Sequence, residues 1–121
     1  MKPKFFDLAK KMSLHSTHHQ FRIGCAIVRG NQIVSLGFNK IKTHPKAKTP
    51  YQQLHAEISA ILAADKKDLK GCKAYTFRAH KNGSTALAKP CIHCQAALAE
   101  VGIGKAHFTT DDGYDEMTLV D

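Results

Sequence analysis

The chain has 121 residues, 43% of them apolar, and carries 18 Lys and Arg against 10 Asp and Glu for a formal charge of +8. That length supports one small domain over residues 1–121 with a single core. It holds no apolar run of eighteen or more residues and its start, Met1-Lys2-Pro3-Lys4-Phe5, lacks the apolar stretch of a signal peptide, so neither a membrane span nor a signal peptide is expected and a cytoplasmic protein is.

Phe5, Leu8, Ala9 and Met12 recur at helical spacing and predict a first helix near residues 3–15, with Pro3 in its first turn. A polar linker with His15, His18 and His19 follows; without an accompanying acid or cysteine, the three histidines read as a solvated cluster. Ile23 to Val28 and Ile33 to Phe38 are β-rich runs separated by Arg29-Gly30-Asn31-Gln32, which predicts an antiparallel hairpin. Residues 39–53 hold two prolines and Lys40, Lys42, Lys46 and Lys48, the composition of a loop. The lysines read either as a solvated segment or as a site of phosphate attraction.

Leu54, Ile58, Ile61 and Leu62 predict a second helix to about Asp65, with an extension to Leu69 and Gly71 as its stop. Ala74 to Arg78 is a short third strand, and His80 to Lys89 a polar loop containing Asn82-Gly83. Pro90 opens a third helix that presents Cys91, Cys94, Leu98 and Val101 on one face and ends at Gly102 and Gly104. Ala106 to Thr110 and Tyr114 to Val120 are the last strands, joined by Asp111-Asp112-Gly113, with Met117 and Leu119 on one side. The strand-helix-strand order forces the third and fourth strands parallel.

Of four cysteines, Cys91 and Cys94 stand at metal-ligand spacing, whereas Cys25, within the apolar run Ile23 to Val28, and Cys72, after a glycine, lie far apart and are expected to be buried or semi-buried free thiols. With His55 the close pair makes three ligands, the number a catalytic zinc takes while its fourth position stays open. Glu57, two residues beyond His55, points in a different direction on a helix and is left as a proton carrier. His93, between the two cysteines, should point away from the metal. A closed structural zinc would need a fourth cysteine or histidine. Alone, Cys-x-x-Cys also reads as a redox pair or half a zinc finger; the conjunction with His-Ala-Glu and the proline before Cys91 is what makes the pattern specific.

His55-Ala56-Glu57 and Pro90-Cys91-Ile92-His93-Cys94 resemble the cytidine and deoxycytidylate deaminase superfamily, and the likeness extends from the Gly24–Val28 strand past Cys94. The resemblance implies an α/β fold, a mixed five-stranded sheet between helices in three layers, here with the last two strands as an antiparallel hairpin. It implies that His55, Cys91 and Cys94 hold Zn2+, that Glu57 is catalytic and shuttles protons, and that cytosine in a free nucleoside or nucleotide is converted to uracil with release of ammonia. Backbone groups of Ala56 and Cys91 would meet the base. Asn39, in Gly37-Phe38-Asn39, would meet the sugar or else serve as a turn residue, and Lys89 or the lysine segment would stand near a phosphate.

A histidine as first ligand is similar to the deoxycytidylate, tRNA and polynucleotide branches, yet those place a helix between the last two strands, where this chain has only a turn. Deamination of cytosine or adenine in single-stranded DNA or RNA is therefore the alternative, favoured by the overall charge and disfavoured by the absence of tryptophan and the scarcity of aromatics. A non-catalytic zinc-stabilised binding module is a further one. By the same analogy a homo-oligomer is expected.

Overall fold

A computed structural model describes residues 3–16, 22–40, 55–65, 68–80 and 82–119. Its elements in chain order are α1 (Pro3–Ser13), β1 (Ile23–Arg29), β2 (Gln32–Phe38), α2 (Ala56–Ala64), β3 (Lys73–Arg78), α3 (Ile92–Glu100), β4 (Lys105–Thr110) and β5 (Gly113–Thr118). The five strands form one sheet in the order β2-β1-β3-β4-β5. β3 and β4 are parallel, and every other neighbouring pair is antiparallel. This is the mixed α/β sheet the sequence implied, with both hairpins in place.

Alternation along β1 distributes its side chains to two cores. Ala26 and Val28 face α1 with Phe5, Phe6 and Tyr75. Cys25 and Ile27 face the opposite layer, where Ala56, Ala60 and Ala64 of α2 and Leu98 of α3 pack with Leu69, Cys72, Ala74 and Ile103. Because β1 alternates with period two and is covered on both sides, it reads as a continuous apolar run. Cys25 and Cys72 are buried free thiols, as expected.

Two glycines set how closely the helices approach the sheet. A Cβ on Gly24 would lie 1.9 Å from the Ala9 carbonyl oxygen of α1, and one on Gly37 would lie 2.3 Å from the Ala60 nitrogen of α2. No residue with a side chain fits at either place. Ser35 adds a hydrogen bond from its hydroxyl to the Ala60 carbonyl, 2.8 Å, tying α2 to β2.

The boundaries differ from expectation at α2. It ends at Ala64 because Asp65 takes a left-handed φ of 51°, so no helix reaches Leu69 and Gly71 instead turns the chain into β3 at φ 80°. Lys42, Lys46, Lys48, His18, His19 and Leu54 fall outside the described residues. Beyond β3 the chain comes back along Ala86 to Ala88 beside the end of β4: the Ala88 N–H donates to the Thr109 carbonyl at 2.9 Å. Among the described residues, no helix is long and apolar enough to cross a membrane.

The topology brings one edge of the sheet together. β2 and β3 run parallel with β1 between them, so the ends of β2, β3 and β4, the start of β1 and the first turns of the crossover helices α2 and α3 share that edge. Ligand sites of α/β sheets form at such strand ends.

Candidate functional site

His55 and Cys91 occupy equivalent positions. Each is the extended residue immediately before a helix, His55 at φ −70°, ψ 151° before α2 and Cys91 at φ −68°, ψ 168° before α3. Their carbonyls accept the first intrahelical bonds, from Ser59 N–H and Gln95 N–H, both at 2.8 Å. Cys91 is thus not on the helix face with Cys94, as the sequence reading had it. The cap residue and the one three positions on are nonetheless neighbours, the relation a capping box uses, and their sulfurs converge. The Gln95 side chain donates to the Pro90 carbonyl at 2.8 Å and holds the entry to α3 in place.

The His55 Nδ1 lies 3.3 Å from the Cys94 Sγ and 3.6 Å from the Cys91 Sγ. All three donor atoms lie within 4.8 Å of one another, and His93 is not one of the group. Tetrahedral zinc with Zn–S about 2.3 Å and Zn–N about 2.0–2.1 Å requires an N···S separation of about 3.6 Å. One imidazole and two thiols at these separations therefore fit zinc, and His55, Cys91 and Cys94 are positioned to bind it.

Protonation of the metal-free group follows from burial. Desolvation, then the nearby His93, lowers the His55 pKa and favours the neutral imidazole that a metal needs. Cys94 is pushed upward, first by burial and then by the neighbouring Glu57 and Cys91, so its thiol must give up a proton when a metal binds.

Glu57 is 5% exposed. Burial raises its carboxyl from 4.5 to about 7, partly offset by its own backbone N–H and a hydrogen bond with Cys94. The expectation that Glu57 points away from His55 holds within a helix, but His55 precedes α2 on extended backbone. Both side chains therefore line one cleft.

That cleft, about 240 Å³, is walled by Ile23, Asn39, His55, Glu57, Arg78, Leu87, Ala88, Lys89 and Cys91. Asn39 is 3% exposed, and its amide oxygen accepts the Ile23 N–H at 2.9 Å while its own N–H donates to the Ile23 carbonyl at 3.1 Å. It extends the β1–β2 ladder by side chain and fixes one wall of the cleft. Lys89 reaches the rim. The Ala56 side chain is buried in the core beneath α2 and leaves only its backbone near the site. Arg78, the last residue of β3, was missed: the signal was its position at a strand end, which matters only once the strand order is known.

A larger groove of about 400 Å³ runs between α2 and α3 along Ile58, Ile61, Leu62, Ala96, Ala97 and Val101. It touches His55, His93 and Cys94 but not Glu57, so the metal group is shared by two depressions; Glu57 lines only the smaller, and the acid of the larger is Glu100.

Residues 1–110 match the cytidine and deoxycytidylate deaminase zinc-binding region. An uncharacterized deaminase of the luxG 3′ region of Aliivibrio fischeri is 30% identical over 112 residues, covering 86% of this chain and 69% of that protein. The deoxycytidylate deaminase of Pongo abelii is 26% identical over 130 residues, covering 93% and 67%. The crystal structure of the cytidine deaminase from Burkholderia pseudomallei superposes with a TM-score of 0.73 at 15% identity, over 98% of this chain and 93% of that one, and speaks for the fold.

Proposed function

The chain belongs to the cytidine and deoxycytidylate deaminase family, a family of hydrolytic, zinc-binding enzymes, and from that premise we propose that it deaminates cytosine to uracil in a free nucleoside or nucleotide. The observation that carries this reading is a three-donor metal group, two of whose residues, His55 and Cys91, line one small cleft together with a buried carboxyl that is not part of the group. Zinc, when bound by His55, Cys91 and Cys94, supplies the Lewis acidity that makes water nucleophilic near neutral pH.

Glu57 moves the protons. In the metal-free protein burial raises its carboxyl to about 7, so this side chain can hold or release a proton near neutral pH, as a group that both accepts and donates must. It takes a proton from water as the C4–O bond forms and delivers it to the adjacent ring nitrogen, then takes the remaining proton from the new C4 hydroxyl and passes it to the exocyclic amine as the C4–N bond breaks. Ammonia leaves and the carbonyl of uracil remains. On this reading the Asn39 carboxamide, which lines the cleft, meets a sugar hydroxyl, and the first-turn backbone of Ala56 meets the base. Apolar Ile23, Leu87 and Ala88 line the cleft and would offer contact to the faces of the ring.

The charge of +8 favours a second reading, deamination within single-stranded nucleic acid. Such binders stack bases on aromatic platforms. Among the described residues, the one exposed large aromatic is Tyr114, on β5 at the far edge of the sheet from the cleft. The size of the cleft, with no exposed aromatic at its rim among the described residues, supports the free substrate.

The test is ammonia release from zinc-loaded protein offered free bases, nucleosides, mono- and triphosphates and cytosine-containing oligonucleotides. Turnover of a cytosine nucleoside or nucleotide, lost by about 10²–10⁴-fold or more in Glu57→Gln with zinc content unchanged, is the expected result. Parent-rate turnover in Glu57→Gln would overturn the mechanism, and exclusive turnover of oligonucleotides would establish the second reading. Size-exclusion chromatography with light scattering tests the proposed homo-oligomer, and a monomer at all concentrations would refute it.

A further inference from the structure

The cleft wall combines buried Glu57, its only acid among the described residues, with two cations toward solvent, half-buried Arg78 and exposed Lys89 at the rim.

The rim is built by the turn structure that follows β3. The Arg78 N–H donates to the Thr109 hydroxyl oxygen at 3.0 Å, and that hydroxyl donates to the Ala86 carbonyl at 2.7 Å. Thr109 is fully buried. The Ala86 N–H donates to the Arg78 carbonyl at 2.9 Å, so the returning segment is fastened to both strands where β3 and β4 diverge. Arg78 Nη1 then donates to the Leu87 carbonyl at 3.1 Å. Backbone and guanidinium are thus both tethered, and the return that Arg78 holds leads directly to Lys89, Pro90 and the metal-group residue Cys91.

A tethered guanidinium is a preorganised donor, since little conformational freedom remains to be lost when it meets an oxyanion. It also stays cationic at any pH at which the fold persists. Lys89 adds a second positive charge on a flexible stem.

We propose that Arg78, assisted by Lys89, is an anion subsite of this cleft that receives the phosphate of a cytosine nucleoside monophosphate, making Arg78 the residue that sets preference for nucleotide over nucleoside. The inference rests on the deaminase reading of the same cleft. The base occupies the end at Glu57, and the phosphate lies at the rim against the guanidinium.

The deciding quantity is the ratio of kcat/KM for a monophosphate to kcat/KM for the matching nucleoside, measured on zinc-loaded parent, Arg78→Gln, Arg78→Lys and Lys89→Gln, with a cytosine-containing oligonucleotide as a further arm. The parent ratio is expected at about tenfold to a hundredfold, the range of a charge-assisted hydrogen bond. Arg78→Gln brings it near unity through the KM of the nucleotide, Arg78→Lys restores part of it, and Lys89→Gln lowers it less. Inorganic phosphate should compete with the nucleotide in the parent and lose that effect in Arg78→Gln.

If Arg78→Gln does not fold, the parent ratio, phosphate competition and Lys89→Gln decide alone. A parent that turns over nucleosides without preferring the phosphate overturns the subsite and leaves the deaminase reading standing. Failure of every cytosine compound overturns both. Preference for the oligonucleotide, or equal losses on nucleoside and nucleotide in Arg78→Gln, also overturns the subsite.

Discussion

Gly37→Ala adds one methyl group where α2 rests on β2. Its carbon would stand 2.3 Å from the Ala60 nitrogen, 2.7 Å from the Ala56 carbonyl oxygen and 2.8 Å from the Ala60 Cα, against an ordinary contact of 3.4–4 Å. All three atoms belong to helix backbone, so no rotamer change relieves the clash and α2 must withdraw by about 1 Å. Overpacking usually costs about 1–3 kcal/mol. With only backbone to yield, about 3 kcal/mol or more is expected, a fall of roughly 10–15 °C in melting temperature for a chain of this size.

The shift also acts on the site, because His55 is joined to Ala56 and Glu57 lies one residue further. Zinc affinity should fall at least about tenfold, as it does when the support of a ligand is disturbed. Urea unfolding of the metal-free protein and competitive zinc titration measure the two effects. Gly104→Ala is the control, for its added carbon meets nothing within 4 Å, and it should stay within about 0.5 kcal/mol of the parent. A Gly37→Ala protein as stable as that control, with unaltered zinc affinity, would refute the reasoning.

The buried carboxyl of Glu57 gives the metal-free protein a pH-dependent penalty. At or below pH 4.5 both folded and unfolded states hold the proton; between 4.5 and about 7 only the folded state holds it, so stability declines as pH rises and levels off above 7. The penalty is on the order of 3 kcal/mol, and Glu57→Gln should remove most of it at pH 8 and none at pH 4, as read by urea midpoints; parallel parent and variant profiles would contradict it.

His107 is 2% exposed, stacks on Tyr75 at 4.5 Å between ring centroids, and has no hydrogen-bond partner for either ring nitrogen among the described residues. Its pKa is lowered, chiefly by burial, with Glu116 opposing and Lys73 and Lys105 adding to the effect. The unfolded chain therefore takes up a proton as pH falls through 6.5 while the folded one does not, and native stability drops with it. His107→Phe keeps the stacked ring and should stabilise by about 1–3 kcal/mol, more at pH 5.5 than at pH 7.5; a destabilised variant would mean the imidazole is satisfied. Cys94→Ser should reduce bound zinc from one per chain to a weakly held fraction, measured by metal analysis after dialysis, and full retention would refute the ligand assignment.

Residue order alone carried the elements and the chemistry that depend on short spacings. Hairpins at Gly30-Asn31 and Asp111-Asp112, helices on the apolar faces of residues 3–13 and 56–64, and the two helix starts bearing His55, Cys91 and Cys94 are local: a few bonds separate the residues, and propensity and periodicity decide them. The end of α2 escaped that reading because a single left-handed residue, Asp65, overrides an otherwise helical composition.

What only the tertiary structure decided lies across the sheet. Setting β1 between β2 and β3 brings Ile23, Asn39 and Arg78, each from a different strand, to one edge beside Glu57. It gives Asn39 a partner in Ile23 and places Arg78 over the cleft. Buried His107 and the contacts of α1 and α2 on Gly24 and Gly37 arise in the same way. Such contacts join residues many positions apart, so they depend on strand order and on how closely layers pack, quantities that no local window of the chain contains.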